Sequence, residues 1–190
     1  MNKNIIIAGV GGQGILTIAA IIDMAAMNNG LHVKQAEVHG MSQRGGAVES
    51  HLRISDREIF SDLIPRGRAD LILSIEPMES LRYLPFLSAD GIIVTATDAF
   101  KNIADYPEEE HLRTEIEKSA KHVLVDASAL AQGLGNKKAF NVVMLGAAAP
   151  YIGIGIDQLK KAIAQLFASK GNEVVEMNLA AFDKGLENTH

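Results

Sequence analysis

Four glycines and a glutamine near the amino terminus have the types and spacing of a phosphate-binding turn: Gly9, Gly11, Gly12, Gln13 and Gly14. An apolar run precedes the motif and a longer one follows it, which indicates a strand, a turn and a helix in that order. In such a unit Gly9 makes the sharp turn, Gly11 lets a phosphate approach the backbone, and Gly14 lets the helix pack on the strand. The free N–H groups of the helix's first turn favour an anion. The motif predicts a phosphate or nucleotide site; the alternative is a tight turn without a ligand.

Glu37 lies near the end of the second predicted strand, residues 31–38, a little over twenty residues beyond the glycine turn. Dinucleotide-binding folds place an acid for a ribose hydroxyl at about this distance. The alternative is a carboxylate at the exposed end of a strand. Both interpretations stay open at the level of sequence.

The loop that follows concentrates hydrogen-bonding side chains among three glycines, namely His39, Ser42, Gln43 and Arg44. A plain connector needs turn residues but not so many polar groups. The carboxyl ends of parallel strands meet at one edge of a sheet, so we expect this loop to lie beside the glycine turn. Arg44 suits a phosphate or carboxylate, and His39 can titrate or donate. The alternative is a surface connector with a solvated arginine.

Composition excludes several classes of function. The chain has 190 residues, a net charge of −5 and a pI of about 5.7, which argues against nucleic acid as a partner. It contains no cysteine, so it has no disulfide, no thiolate nucleophile and no cluster ligand of its own. No nucleophile elbow or Walker lysine is present, and no His and carboxylate stand at metal-ligand spacing. We assign no catalytic residue and predict no metal.

Two long uncharged stretches, residues 4–22 and 139–156, resemble membrane spans in length. Several glycines interrupt both, and Pro150 interrupts the second, so that buried core is the better interpretation. The first residues lack the pattern of a signal peptide. We expect a cytoplasmic protein without a membrane contact.

Hydrophobic periodicity predicts an α/β fold in one domain, residues 1–190: a Rossmann-like, doubly wound, mostly parallel sheet with an inserted antiparallel hairpin. The predicted strands are residues 5–8, 31–38, 48–54, 59–61, 70–75, 92–97, 123–126 and 173–177. The predicted helices are residues 15–27, 77–84, 107–121, 128–135, 140–150 and 157–170.

The predicted hairpin and the strand before Pro77 carry the remaining polar candidates. Residues 48–54 alternate apolar and polar, which predicts a half-exposed strand with His51 in water and residues 59–61 as its return strand. Glu76 follows the strand at 70–75. It either faces the cleft or is a carboxylate favoured by the start of a helix.

Several segments together resemble the γ-type domain of 2-oxoacid:ferredoxin oxidoreductases, over nearly the whole chain. The matching segments are residues 9–14, 37–46, 50–53, 76–84 and 141–146. Residues 37–46, Glu-Val-His-Gly-Met-Ser-Gln-Arg-Gly-Gly, are far more specific than the glycine turn. Within the family the chain resembles the short stand-alone subunit of enzymes that act on indolepyruvate.

The resemblance implies a non-cluster subunit that is inactive alone. Its larger partner would carry thiamine diphosphate and the iron–sulfur clusters, oxidatively decarboxylate an aryl-2-oxoacid, and pass electrons to ferredoxin and the acyl group to coenzyme A. The lack of cysteine agrees with clusters on the partner chain. The resemblance places the glycine turn and residues 41–46 near the active-site entrance or the coenzyme A path. Two alternatives are a stand-alone NAD(P)-binding oxidoreductase and a non-catalytic nucleotide-binding module.

Overall fold

The computed structural model describes residues 1–40 and 45–189, except for the side chain of His39. Within these ranges, one six-stranded sheet has the order β2-β3-β1-β4-β5-β6. Its strands are β1 (Asn2–Val10), β2 (His32–His39), β3 (Ala47–Ser55), β4 (Ala69–Ser74), β5 (Leu87–Ala96) and β6 (Lys121–Val125). The helices are α1 (Ile15–Asn28), α2 (Pro77–Arg82), α3 (Glu109–Ser119), α4 (Ala127–Gly133), α5 (Phe140–Ile152), α6 (Ile156–Phe167) and α7 (Asn172–Leu186).

Most strands run in the same direction, so most of the loops that contain candidate site residues begin at one edge of the sheet. β1, β4, β5 and β6 pair in parallel, whereas β3 is antiparallel to both β1 and β2. Only β3 therefore runs against the other strands. The segments that follow β1, β2, β4, β5 and β6 all begin at this edge, which we call the carboxyl edge.

β1 is buried on both sides, because helices cover both faces of the sheet. Ile5 and Ile7 belong to a core that includes α1, α5, α6 and α7. Ile6 and Ala8 point to a smaller core with Tyr83 and α3. The alternation follows from the period of two along a strand. The predicted doubly wound, mostly parallel α/β fold with an antiparallel hairpin is confirmed.

The hairpin consists of β2 and β3, and the predicted return strand at residues 59–61 is wrong. Residues 56–68 instead fold as an irregular segment along one face of β3. The Ile64 N–H donates to His51 Nδ1 at 3.0 Å, and Arg53 Nη1 donates to the Ser61 carbonyl at 2.9 Å. His51 is consequently 3% exposed, not solvated as expected. Backbone groups of this segment, instead of water, form hydrogen bonds with the polar side chains of β3.

The predicted last strand, residues 173–177, is also wrong, since these residues form the start of α7. Their valines favour a strand locally, but the apolar residues continue at helical spacing through Phe182. α7 packs closely on α5, where Gly146 and Gly185 place backbone against backbone. Tertiary packing overrides the local preference here.

Candidate functional site

The glycine turn joins β1 to α1 at the carboxyl edge. The two residues with left-handed backbone are Gly12, at φ +101°, and Gly14, at φ +81°. The assignment of the sharp turn to Gly9 is wrong, because β1 continues as strand through Val10. Gly12 and Gly14 reverse the chain, and a side chain at either would be strained.

Gly9 serves close packing. A Cβ there would lie 2.7 Å from Gln13 Oε1 and 3.3 Å from the Cβ of Ile75. Gln13 folds back over the turn, and its Oε1 accepts the Val10 N–H at 2.7 Å. The amide oxygen of Gln13 thus holds the turn closed.

α5 supports the turn from below through Asn141, which is 7% exposed. Its Nδ2 donates to the Gly14 carbonyl at 3.3 Å, and its Oδ1 accepts the Val142 N–H at 3.0 Å. A Cβ at Gly14 would lie 3.1 Å from Asn141 Cγ. The position of Gly14, the N-cap of α1, is therefore fixed by a residue more than a hundred positions away.

The start of α1 is electrostatically open to an anion. No side chain caps it through Gly14, and its first turn contains no acidic residue. An added Cβ at Gly12 would find no atom within 4 Å, and Gly12 is exposed. Helix N-termini attract negative charge through their unpaired N–H groups. The turn has the space and the polarity that a phosphate group requires.

The ends of the loop between β2 and β3 lie against the glycine turn. The Gly11 N–H donates to the Gly46 carbonyl at 2.9 Å, and the Gly40 N–H donates to the Ala47 carbonyl at 3.0 Å. Asn102, in the segment after β5, donates from Nδ2 to the Gly45 carbonyl at 2.6 Å. The described ends of the two sequence motifs are therefore neighbours. The predicted site residues Ser42, Gln43 and Arg44 lie outside the described residues, as does the side chain of His39.

Glu37 lies apart from the glycine turn. It pairs with Ser50 of β3, which in turn pairs with Ile7 of β1, so that a whole strand separates Glu37 from β1. Gln35 Nε2 donates to Glu37 Oε1 at 2.7 Å. In a dinucleotide-binding fold the strand bearing the ribose acid adjoins the first strand. The antiparallel β3 occupies that place here.

Asp23 is the acid of α1 that approaches Glu37. Burial, and then the charge of Glu37, raises the pKa of Asp23 to about 7. Its Oδ1 is buried without a hydrogen-bond partner among the described residues. Charging a carboxyl in this place is costly, so Asp23 ionises only near neutral pH.

Of the two roles considered for Glu76 at the sequence level, the structure shows the carboxylate at the start of a helix, since the buried Glu76 does not face an open cleft. It caps α2, because its Oε2 accepts the Glu79 N–H at 3.0 Å. Its Oε1 accepts the Phe100 N–H at 3.4 Å and the Tyr106 hydroxyl. Glu76 is completely buried, and burial raises the pKa of its carboxyl, while the Tyr106 hydrogen bond opposes that rise. Burial, followed by the hydrogen bond to Glu76, raises the pKa of Tyr106.

Asn102 and Tyr106 are functional candidates that sequence reasoning missed. They lie in residues 98–106, a connector without regular structure. Periodicity gives no signal in such a segment, and the partners Gly45 and Glu76 are far away in sequence.

A cavity of about 180 Å³ at this edge lies between α2 and α3, beyond β5 and β6. Its lining includes Pro77, Thr97, Glu109, Glu110, Arg113 and Leu124. Arg113 pairs with Glu117 at 2.8 Å. The glycine turn does not line this cavity, and its acidic rim does not suit a phosphate.

Within 1–40 and 45–189, no group of three or more His, Asp or Glu side chains is arranged to hold a metal ion. None of the helices in those ranges is both long and apolar enough to cross a membrane.

The fold and this turn define a Rossmann-like α/β protein with a glycine-rich connection between its first strand and helix. The family model described as pyruvate ferredoxin/flavodoxin oxidoreductase matches residues 4–188. The chain belongs to this family. The family expected from the sequence is confirmed.

Individual relatives agree with this assignment. The chain is 40% identical to indolepyruvate oxidoreductase subunit IorB of Archaeoglobus fulgidus, across 97% of this chain and 94% of that subunit. The solved structure of pyruvate oxidoreductase subunit PORC from Thermotoga maritima has a TM-score of 0.75 at 24% identity, covering 98% and 96% of the two chains.

A further solved chain with the same fold is much longer than this chain. It is the 2-oxoglutarate:ferredoxin oxidoreductase from Magnetococcus marinus, solved with 2-oxoglutarate, coenzyme A and succinyl-CoA bound. Its TM-score is 0.81 at 23% identity, and the match covers 99% of this chain. The chain spans 31% of that Magnetococcus chain.

Proposed function

We propose that this chain is the small subunit of a 2-oxoacid:ferredoxin oxidoreductase that oxidatively decarboxylates indolepyruvate to an acyl-CoA, and that residues 1–190 form one domain. The observation that carries the proposal is the 40% identity to indolepyruvate oxidoreductase subunit IorB over almost the full length of both chains. A subunit of matching length is expected to occupy a matching place in its enzyme. Ferredoxin receives the electrons through the larger subunit, and a cytoplasmic location stays a prediction.

The cofactors of such an enzyme divide between the chains. This chain has no cysteine, so its residues do not fit an iron–sulfur cluster. It also has no recognisable thiamine diphosphate motif. We assign both cofactors to the larger subunit, and accordingly name no catalytic residue in this chain.

Coenzyme A is the cofactor of such an enzyme that we assign to the described residues of this chain. When bound, it supplies the thiol that accepts the acyl group. The start of α1 has the polarity for one of its phosphates, and the exposed Gly12 leaves space for it, since an added Cβ there meets no atom within 4 Å. Gln13 and Gly9 shape this turn. The bound coenzyme A in the Magnetococcus marinus enzyme supports the proposal.

The roles of the neighbouring motif stay predictions. Ser42, Gln43 and Arg44 are expected to contact the same phosphates or the partner, and His39 to donate or titrate there. Glu37 is the weakest member of the predicted set, since β3 separates it from the glycine turn. That separation also disfavours a stand-alone NAD(P)-binding enzyme. The enzyme subunits among the relatives disfavour a non-catalytic module.

The larger subunit is proposed to cover the carboxyl edge. Four large apolar side chains are exposed there by 45–51%, namely Leu16, Val38, Phe100 and Ile103. Exposed apolar groups around polar backbone are typical of protein interfaces. A second exposed pair, Phe60 and Leu63, lies toward the opposite edge and provides a matched comparison.

Substitution of the two exposed pairs tests this placement. We expect Phe100→Ser with Ile103→Ser to weaken binding of the larger subunit by about tenfold or more, because apolar anchors dominate interface energies. The same changes at Phe60 and Leu63 should leave binding within about twofold. The measurement is the dissociation constant of the two purified chains. Loss of binding with the Phe60 and Leu63 pair alone would place the partner on the other edge.

A further inference from the structure

We propose that Glu76 is a positioning residue for the glycine turn, acting through residues 98–106 and the backbone of Gly45 and Gly46. We call residues 98–106 the strap. This inference rests on the proposed function, because the glycine turn is the phosphate site whose geometry Glu76 would set.

Glu76 makes more contacts than a helix cap requires. Capping α2 uses only one oxygen, through the Glu79 N–H, and exposed Ser or Asp side chains perform this task in most helices. The other oxygen receives the Phe100 N–H and the Tyr106 hydroxyl, both from the strap. A carboxylate with no exposed surface is tolerated only when donors surround it. Its second set of donors therefore ties the strap to the end of β4.

Among the described residues, we find no other buried hydrogen-bond partner for the side chains of the strap. It has no helix or strand, and residues 100–105 are exposed. Asp98 Oδ2 accepts the Ser128 N–H at 3.2 Å, and the exposed Lys101 pairs with Glu109 at 2.8 Å. Exposed ion pairs of this kind contribute little. Of the three carboxylate or backbone partners named here, Glu76 is the one that is completely buried.

The strap in turn contacts the site. Asn102 donates to the Gly45 carbonyl at 2.6 Å, and the next carbonyl, that of Gly46, accepts the Gly11 N–H at 2.9 Å. Gly45 and Gly46 have no side chains with which to pack, and Gly45 has a φ of +81°. Glycine backbone has the greatest freedom to lose, so hydrogen bonds must fix its position. The contacts from Glu76 to Gly11 form one continuous series.

Hydrogen exchange at the Gly11 amide in the full chain tests the series directly. Asn102→Ala removes the hydrogen bond from the strap to the Gly45 carbonyl, and Tyr106→Phe removes one of the two hydrogen bonds from the strap to Glu76. Neither change opens a large cavity. We expect each to accelerate exchange at Gly11 by about two- to tenfold, the value of one hydrogen bond. Lys101→Ala is the control, because it removes a strap contact outside the series; we expect less than about a twofold change. Glu76→Gln should exchange more slowly than Glu76→Ala, since the amide oxygen still accepts.

Kinetics of the assembled enzyme give the second readout. Asn102→Ala should raise KM for coenzyme A by about two- to tenfold and leave kcat within about twofold, as expected when a binding group is displaced. Unchanged exchange at Gly11 in both variants, or equal acceleration by Lys101→Ala, would overturn the positioning role. A fall in kcat with KM unchanged would also overturn it. Failure of the proposed function gives a different result from failure of the positioning role. If the proposed function is wrong, the wild-type complex shows no coenzyme A-dependent activity, whatever the rate of exchange at Gly11.

Discussion

Gly185→Ala should lower the free energy of unfolding by about 3 kcal/mol, and lower Tm by about 6–12 °C. Gly185 of α7 faces α5, where a Cβ would lie 2.8 Å from the carbonyl carbon of Val143 and 2.9 Å from the Ala147 nitrogen. Both are backbone atoms, which cannot rotate away as a flexible side chain can. The two helices would have to separate, and buried contacts along their whole crossing would loosen.

Gly133→Ala is the matched control, because it also lies in a helix but an added Cβ meets no atom within 4 Å. Alanine is the better helix former, so this change should be neutral or stabilising by up to about 1 kcal/mol. Thermal unfolding of the three proteins followed by circular dichroism measures both effects. A Tm for Gly185→Ala within about 1 °C of the parent would contradict the close crossing of α5 and α7.

Gly14→Ala should affect both stability and activity. The left-handed backbone at φ +81° penalises any side chain by about 1–2 kcal/mol. The new Cβ would also lie 3.1 Å from Asn141 Cγ, which displaces the amide that supports the turn. We expect a total loss of about 2–3 kcal/mol, and a KM for coenzyme A about tenfold higher in the assembled enzyme, because the proposed phosphate site itself shifts.

Gly30→Ala separates the two causes. Gly30 has a φ of +70°, but an added Cβ there meets nothing within 4 Å, and it follows the other end of α1. It should therefore show the backbone strain alone, with KM for coenzyme A unchanged. Equal losses of stability in both variants would mean that Asn141 does not constrain the turn. A normal KM in a folded Gly14→Ala enzyme would remove the glycine turn from the proposed site.

Sequence alone predicts the parts of this fold that depend on local pattern. The glycine turn between an apolar strand and an apolar helix is one example, and the amphipathic helix α6, predicted as residues 157–170 and found as Ile156–Phe167, is another. The sequence also predicts that the glycine turn and residues 45–46 lie close together, because parallel strands end at one edge of a sheet. These features need no knowledge of distant contacts.

The failures arise where distant chain segments replace water or override a local preference. His51 looks exposed from the alternation of β3, but residues 56–68 cover it and its ring receives the Ile64 N–H. Val174 and Val175 favour a strand, yet packing of α7 on α5 makes them helical. The connection from Glu76 through Tyr106 and Asn102 depends on the path of an irregular strap, which periodicity does not describe.

Activity of the purified two-chain complex tests the central claim most directly. The chain would be co-expressed with the larger subunit from the same source, and the complex assayed for indolepyruvate-dependent reduction of a viologen dye. We expect reduction that requires both chains, indolepyruvate and coenzyme A, with iron present only in preparations that contain the larger subunit. A chain that forms no complex and by itself reduces NAD(P)⁺ would contradict the assignment as a subunit.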